Sequence, residues 1–267
     1  MRKAAWTVTA WAVGIVFVFP VLWMVLTGFK REQDAASNPP AWLFHPTLDQ
    51  YRQIFGRNVT PYLLNSLMAS GFSTLLVLVL ATPAAYALSM RPVGKWRDAL
   101  FFFISTKMLP AVAALLPIYL VVKQLGMLDN IWTMVILYTA MNLPLAVWMM
   151  RSFLLEVPRS VVEAAAVDGA GLGLTIRKVI GPIVSPGIAA TALICFIFAW
   201  NEFFFAVNLT ATRSGTAPIF LVGFISSEGL FLARLCAAAT LVSLPVLLAG
   251  WLAQNKLVRG LSMGAVK

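Results

Sequence analysis

Long uncharged apolar runs recur along the chain, and they constrain its fold more than any other feature. Each run approaches the roughly 20 residues that a helix needs to cross about 30 Å of hydrocarbon. Only 11% of the 267 residues are charged, which leaves too little polar surface to cover a water-soluble globule. We therefore predict an all-α integral membrane protein, one transmembrane domain over residues 1–267, with spans at 6–28, 61–90, 99–122, 131–150, 187–209 and 231–253.

The formal net charge of +10 reports topology rather than a polyanionic partner. With the N-terminus inside, twelve of the 20 Lys and Arg residues fall in cytoplasmic segments, seven fall outside, and Lys107 lies within a span. Positive charge accumulates on the cytoplasmic side of membrane proteins. The distribution predicts that both termini are cytoplasmic and argues against nucleic-acid binding.

The first apolar run follows Arg2 and Lys3, a pattern that also suits a secretory signal sequence. No small-residue cleavage site follows the run, so we interpret it as a retained anchor. Cys195 and Cys236 both fall inside predicted spans and are interpreted as packing residues. His45 is the single histidine, so the sequence offers no ligand set for a metal site.

The polar segment 151–186 is predicted to be a cytoplasmic loop. Ser160 and Glu163 have the spacing of a capping box behind Pro158, which predicts a short Ala-rich helix over 161–168. Gly169 is the expected left-handed terminator of this helix. Glu163, Ala166, Val167 and Ala170 would share one nearly smooth face, which either enters a groove on another protein or lies bare on the surface of a linking helix.

Pro182 and Pro186 stand where the chain should re-enter the membrane. Proline cannot donate a backbone hydrogen bond and tends to start or bend a helix. The pair should fix the angle between the loop and the fifth span, so that a push on the loop is passed to that span.

The segment Glu163-Ala164-Ala165-Ala166-Val167-Asp168-Gly169-Ala170, followed by Pro182 and Pro186, resembles the EAA loop of ABC importer permeases. The spacings from acid to glycine and from glycine to proline are kept. Gly181 departs from the pattern, which usually has leucine before that proline, and we expect it to loosen the second helix of the loop.

The resemblance extends over the whole chain. Asn65-Ser66-Leu67, Leu143-Pro144-Leu145, Trp200-Asn201-Glu202 and the tail 257–267 are similar to the MalG-like permeases of carbohydrate importers. Ser105-Thr106-Lys107-Met108-Leu109-Pro110 and Ser227-Glu228-Gly229-Leu230-Phe231 look most like sorbitol/mannitol permeases, although importers of other sugar-derived solutes share such residues.

The resemblance implies the type I ABC importer permease fold and a bacterial inner-membrane location. It also implies a heterodimer with a second permease, two ATPase subunits that bind ATP and Mg, and an external solute-binding protein. The chain itself would hold no cofactor and would not be an enzyme, in keeping with its lack of a GxxxxGK[ST] phosphate loop.

The same resemblance assigns roles to loop residues. The helix around Glu163 to Gly169 would be the coupling helix that docks in a cleft of the ATPase. Glu163 would meet a basic residue there, Ala164 and Ala165 would fill the cleft, and Asp168 and Pro182 belong to the same motif.

The tail allows two interpretations. Arg259, Gly260 and Lys267 would reach between the ATPase subunits according to the resemblance. The alternative is a polar stop whose cations lie at the lipid headgroups.

Polar residues inside the spans are costly and usually face a partner or a wet cavity. One hypothesis is that Asn201, Glu202 and Lys107 line the solute pathway and offer hydrogen bonds to a hydroxyl-rich solute. The alternative is that they bond to neighbouring helices and hold the bundle together.

Two other functional classes fit less well. A secondary transporter or channel would not need a long cytoplasmic insert ending in two prolines, and it often shows an internal repeat. A membrane enzyme would need a constellation of acid, base or nucleophile that no span carries.

Overall fold

The structure is a computed structural model that describes residues 2–90, 94–226 and 229–265, with side chains described for 6–90, 94–225 and 231–254. Within these residues the chain is helical apart from one two-stranded antiparallel pair, β1 (Ile225–Ser226) and β2 (Gly229–Leu230). The helices are α1 (Arg2–Thr27), α2 (Glu32–Ala35), α3 (Asp49–Gly56), α4 (Val59–Met90), α5 (Trp96–Lys107), α6 (Ala111–Gln124), α7 (Ile131–Leu155), α8 (Arg159–Val167), α9 (Leu172–Leu174), α10 (Gly181–Ile183), α11 (Ser185–Trp200), α12 (Phe204–Leu209), α13 (Ala217–Val222) and α14 (Leu232–Ala265), with a π-helical turn at Thr175–Ile180.

Four described helices contain a stretch that is long and apolar enough to cross a membrane, namely Trp6–Thr27, Val59–Met90, Ile131–Leu155 and Leu232–Gln254. Two bent pairs bring the number to six if each pair is one span. Helices α5 and α6 meet at 90°, and the segment Leu172–Ile183 meets α11 at 82°. The first bend lies within the predicted third span, and the second lies just before the predicted fifth span, at the end of the 151–186 loop.

The third span is broken where the sequence predicts continuous helix over 99–122. Pro110 has no backbone N–H, and its ring would clash with the carbonyl four residues earlier, so α5 ends at Lys107 and α6 starts after the proline. Its 12 and 14 residues give halves of about 18 and 21 Å, each shorter than the hydrocarbon layer.

The fifth span is also broken, inside the predicted range 187–209. Helix α11 ends at Trp200 after 16 residues, or about 24 Å, and α12 follows after Asn201, Glu202 and Phe203. No proline explains this break. It arises from side chains that bond to the backbone, as described below.

The chain divides into two compact units. The first comprises Met1–Leu63 and Thr216–Pro245. Its core is formed by buried apolar residues of α3, α4, α13, α14 and the segment after α13: Ile54, Val59, Phe220, Phe224, Ala237 and Ala238. In an 18-residue apolar window of α1, 0% of the residues are buried, and Trp6, Trp11 and Phe17 are all exposed. Its hydropathy suits lipid as the surrounding solvent.

Lys30 is a buried cation of the first unit, with 1% of its surface exposed. Its ammonium donates to the carbonyl of Ala41 at 2.8 Å and lies 4.0 Å from the Trp23 ring centroid. Nearby, the Glu32 carboxylate accepts the backbone N–H groups of Ala233 and Arg234, both at 3.0 Å. These bonds satisfy donors at the start of α14 and tie the segment after α1 to that helix.

The second unit comprises Leu64–Gly215 and Val246–Lys267, and α7 is its central helix. Helix α7 packs against α5 and α11. One core cluster includes Val77, Ala81, Ala146, Val147 and Cys195, and a second includes Met150, Leu154, Val157, Ile180 and Val184. The second cluster joins the end of α7 to the segment before α11, so both ends of the 151–186 loop are anchored in one core.

Candidate functional site

The loop 151–186 carries helix α8, which spans Arg159–Val167 rather than the predicted 161–168. Pro158 occupies the N-cap position, and no side chain caps the helix there. The expected capping box is therefore wrong, because Ser160 lies inside the first turn instead of before it. Gly169 does terminate the helix as predicted, with φ +74° in the left-handed region that glycine adopts without strain.

The predicted smooth face of α8 is largely exposed. Glu163 and Ala166 are exposed, 87% of Val167 is exposed, and Ala170 is half-buried. Val167 is therefore barely covered by the other described residues. The face has the composition that a partner's groove would accept.

Ala164 and Ala165 lie on different sides of α8. Ala164 is exposed, whereas Ala165 is 6% exposed and packs within the chain. The two differ because successive helical residues are rotated by 100°. Ala165 also lines a groove beside α8, and its cleft-filling role stays a prediction.

A groove of about 580 Å³ runs between α8 and the segment that follows it. Its lining includes Ala164, Asp168, Leu174 and Lys178. Asp168 is exposed and faces the same groove as Lys178, so charges of both signs border it. The groove belongs to the loop and not to the membrane-embedded helices.

The chain returns to the membrane through a π-helical turn and a bend. The N–H of Gly181 donates to the carbonyl of Ile176, and a Cβ on Gly181 would lie 3.0 Å from that same oxygen. Glycine thus fits the wide turn closely, which contrasts with the loosening expected from the sequence. Pro182 lies in the short helix before the bend and Pro186 in the first turn of α11, so the 82° bend falls between the two prolines.

Just beyond the bend, Gly187 of α11 packs against the Phe153 ring of α7. A Cβ on Gly187 would overlap the Phe153 ring. Because α7 precedes the loop and α11 follows it, this contact joins the two ends of the loop directly.

Asn201 and Glu202, the predicted pathway residues of the fifth span, lie at its break. Asn201 is exposed and donates to the carbonyl of Ile197 at 2.8 Å. The Glu202 carboxylate is 9% exposed and accepts the backbone N–H groups of Phe205 at 2.8 Å and Ala206 at 3.2 Å. Glu202 therefore starts α12 by satisfying its first donors, while Asn201 is left facing outward.

Lys107, the third predicted pathway residue, lies at the break of the third span. It is exposed, and Ser105 and Thr106 beside it donate to the carbonyls of Phe102 and Phe103. Among the residues with described side chains, Lys107 forms no ion pair with Glu202. The structure thus does not bring the two charges together.

Asp129 is a polar anchor that sequence reasoning did not identify. Its carboxylate accepts the backbone N–H groups of Ala211, Arg213 and Ser214, at 2.8, 3.1 and 2.9 Å. Partial burial opposes ionisation, but these three donors together with Arg213 hold the pKa of the Asp129 carboxyl below its usual value. From the other side, Asn65 donates to the carbonyls of Arg213 and Gly215.

The signal that could have identified Asp129 is weak. It stands in a Leu-Asp-Asn turn between two apolar runs and has φ +53°, which aspartate tolerates better than most residues. The predicted tail residues give no further geometry. The backbone of Arg259 and Gly260 lies in α14, but their side chains and Lys267 fall outside the described residues.

Comparison with known proteins relates these features to transport components. The family of binding-protein-dependent transport system inner membrane components matches residues 78–258. A probable ABC transporter permease of Sinorhizobium fredii is 38% identical over 267 residues, covering 100% of this chain and 96% of that protein. The diacetylchitobiose uptake system permease of Streptomyces coelicolor is 33% identical over 265 residues, covering 97% of this chain and 95% of that one.

A solved structure with a similar fold is a chain of a bacterial ABC transporter involved in the import of the acidic polysaccharide alginate. It superposes with a TM-score of 0.73 and 21% identity, covering 95% of each chain. The fold is therefore the all-α fold of a type I ABC importer permease, as predicted. The chain is a transport subunit and not an enzyme, and it belongs to the family of binding-protein-dependent transport system inner membrane components.

Proposed function

We propose that this chain is one of two permease subunits of an ABC importer that takes up a carbohydrate, specifically a polyol of the sorbitol or mannitol type. A second permease, two ATPase subunits and an external solute-binding protein would complete the assembly. ATP and Mg would bind to the ATPases. The observation that carries the proposal is the exposed small-residue face of α8, in a chain that belongs to a transport family.

Docking of an ATPase on α8 is supported by what the helix leaves uncovered. Val167 offers apolar surface, Ala164 and Ala166 permit close approach, and Glu163 offers a charge at one end. Burying one valine side chain contributes about 1.5 kcal/mol or more. Gly169 ends the helix abruptly, so that only this short segment needs to enter a cleft.

Transmission to the membrane is supported by the anchoring of the loop. The cluster of Met150, Val157, Ile180 and Val184 holds both loop ends, and the Phe153–Gly187 contact holds α7 against α11. A rigid connection of this kind passes a displacement of α8 to the fourth and fifth spans. In our proposal, this displacement switches the pathway between its inward and outward openings.

A hydroxyl-rich, uncharged solute is supported by the two breaks. Discontinuous helices in membranes expose backbone groups and polar side chains where a cavity or a substrate satisfies them. Asn201 is exposed at one break, and Ser105 to Lys107 lie at the other. Glu202 is already satisfied by α12, so we assign it to structure and keep Asn201 as the pathway residue.

The polyol assignment competes with other carbohydrates. One relative is named for diacetylchitobiose uptake, and the superposed transporter imports alginate. The segment Ser105 to Pro110, on which the resemblance to polyol permeases depends, coincides with the break of the third span. This coincidence is our reason to propose a polyol first.

We further propose that both termini are cytoplasmic. This orientation places α8 on the side where ATP is available, and it follows the excess of Lys and Arg in the same segments. The tail with Arg259, Gly260 and Lys267 would then reach the ATPases. Deletion of residues 260–267 should lower solute-stimulated ATPase activity and leave membrane insertion intact, and unchanged activity would remove the tail from the proposal.

The coupling proposal is tested by reversing charge on α8 in the complete complex. Glu163→Lys should weaken co-purification of the ATPases and reduce uptake by about tenfold or more, because a charge-assisted hydrogen bond is lost and a repulsion replaces it. Asp98→Lys is the control, since Asp98 is also exposed, near the predicted cytoplasmic end of a span. Equal retention of ATPase by both variants would contradict the proposal.

The solute proposal needs a separate measurement. Calorimetry on the partner binding protein, followed by uptake in proteoliposomes, should give tight binding and ATP-dependent uptake of sorbitol or mannitol. Preference for a disaccharide would replace the polyol with another carbohydrate and leave the importer class in place. Uptake by the isolated chain without ATPases would instead indicate a channel or a secondary transporter.

A further inference from the structure

The outer half of the fifth span, α12, is held at its start by a carboxylate. Glu202 Oε1 accepts the N–H of Phe205, and Oε2 accepts the N–H of Ala206. The Tyr138 hydroxyl lies 3.5 Å from the backbone oxygen of Glu202 and closes the site from α7. The first donors of α12 thus have fixed partners, although the helix has only six residues.

Asp129 holds the other end of α12 through its backbone, and its carboxylate holds the loop that follows. The Asp129 N–H donates to the carbonyl of Leu209, the last residue of α12, at 2.9 Å. The three backbone donors at 211, 213 and 214 converge on the Asp129 carboxylate, and the Ser214 hydroxyl donates to the Asp129 carbonyl at 2.9 Å. One residue therefore satisfies the end of α12 and the start of the following loop.

The two halves of the fifth span pack on different helices. Helix α11 packs against α7, whereas α12 packs against α6, the second half of the broken third span. Asp129 lies in the turn between α6 and α7. Residues 201–203 consequently separate a half that is packed with the coupling loop from a half that is tied to α6.

We infer that Asp129 is a positioning residue that joins α6, α12 and the loop 210–215 into one outer block, with residues 201–203 as the joint between this block and α11. The inference rests on the proposed function, because it places the exposed Asn201 side chain at that joint. When α8 moves α11, the block keeps its own geometry. The space beside the Asn201 side chain then widens or narrows, while the loop 210–215 keeps its shape.

Asp129→Asn in the complete complex is the most direct variant. The amide keeps the shape of the carboxylate but replaces one acceptor with an N–H₂ donor, which leaves at least one of the three backbone donors without a partner. Hydrogen exchange at 210–215 should accelerate by roughly tenfold. The solute transported per ATP hydrolysed should fall several-fold while ATPase activity persists, because the block no longer follows one geometry.

Asp49→Asn is the matched control. The Asp49 side chain pairs with Arg52 in an ion pair whose two side chains are 59% and 78% exposed. Such an exposed pair contributes little, so both readouts should match the unaltered complex. If Asp129→Asn does not assemble, Ser214→Ala removes only the hydroxyl bond and is measured in the same way.

Two results would overturn the inference. Unchanged exchange at 210–215 would show that Asp129 does not hold the loop. Faster exchange with an unchanged ratio of transport to hydrolysis would restrict Asp129 to local structure. The exchange measurement needs no solute, so it remains decisive even if the complex proves to transport a different class of molecule.

Discussion

The two ends of the second unit differ in whether their polar and apolar groups find partners within the chain. At the end we assign to the outside, Asp129 and Asn65 satisfy the loop 210–215 through bonds within the chain. At the end we assign to the cytoplasm, α8 leaves Glu163 and 87% of Val167 uncovered. An end that satisfies its own groups has fixed geometry, whereas an uncovered end gains free energy from a partner.

In our proposal the two ends of the unit have different roles. The end near Asp129 would give the outer part of the pathway a defined shape. The end with α8 would act as a lever whose attachment points lie in the core around Met150 and Val184. The following variants test this contrast from its most sensitive point to its least.

Val167→Asp should have the largest effect. It removes the apolar contact offered to the ATPase and places a charge where the partner excludes water, for a total of about 3 kcal/mol or roughly a hundredfold in affinity. Co-purified ATPase per permease measures the loss. Leu43→Asp is the control, because Leu43 is 97% exposed in a segment we assign to the outside, and a comparable loss there would contradict a docking face confined to α8.

Gly187→Ala should have an intermediate effect on stability. The added methyl group overlaps the Phe153 ring, and overpacking of this kind costs about 1–3 kcal/mol. The melting temperature and the uptake rate should both fall. Phe153→Leu combined with Gly187→Ala should recover part of the loss, and strictly additive effects in the double variant would show that the two residues are not coupled.

The variants Asn201→Ala and Glu202→Ala should distinguish a role in the solute pathway from a role in stabilising the fold. Glu202→Ala deprives α12 of its capping acceptor, at about 1 kcal/mol, so assembled complex and uptake should fall together. Asn201→Ala removes an exposed side chain and should lower uptake while the amount of complex is kept. The opposite pattern, with assembly lost only for Asn201→Ala, would exchange the two assignments.

The smallest effect is the acid sensitivity of the Asp129 anchor. The pKa of the Asp129 carboxyl is lowered in the folded chain. Its contribution to the stability of the loop is therefore fully present at pH values above the ordinary carboxyl pKa of about 3.9. This stability is lost as the pH falls through the lowered pKa. Exchange protection at 211–214, corrected for intrinsic rates, should be constant from about pH 7 to 5 and should decline below about 4. A decline centred near pH 6 would indicate that another group controls the loop.

Local rules were sufficient for the end that we assign to the cytoplasm. A run of small residues with an acid, a glycine and later two prolines predicted α8, its left-handed end and the bend before α11. These features depend on backbone preferences within a few residues. The start of α8 was misplaced because Pro158, rather than Ser160, occupies the N-cap position.

The breaks and the outer anchor depend on distant contacts. Hydropathy predicts a continuous helix through 201–203, because it does not register that the Glu202 carboxylate competes for backbone donors. The partners of Asp129 are 82 to 85 residues away, a separation at which no periodicity signals contact. Pro110 lies at the break in the third span, where a continuous helix over 99–122 was predicted.

The most direct test labels Val167→Cys with a membrane-impermeant maleimide in vesicles, after replacement of Cys195 and Cys236 by alanine. The account predicts no labelling in right-side-out vesicles, labelling in inside-out vesicles stripped of ATPase, and protection once the ATPase subunits are restored. Labelling from the outside, or labelling that the ATPase leaves unchanged, would contradict the claim that α8 is the cytoplasmic face on which the ATPase docks.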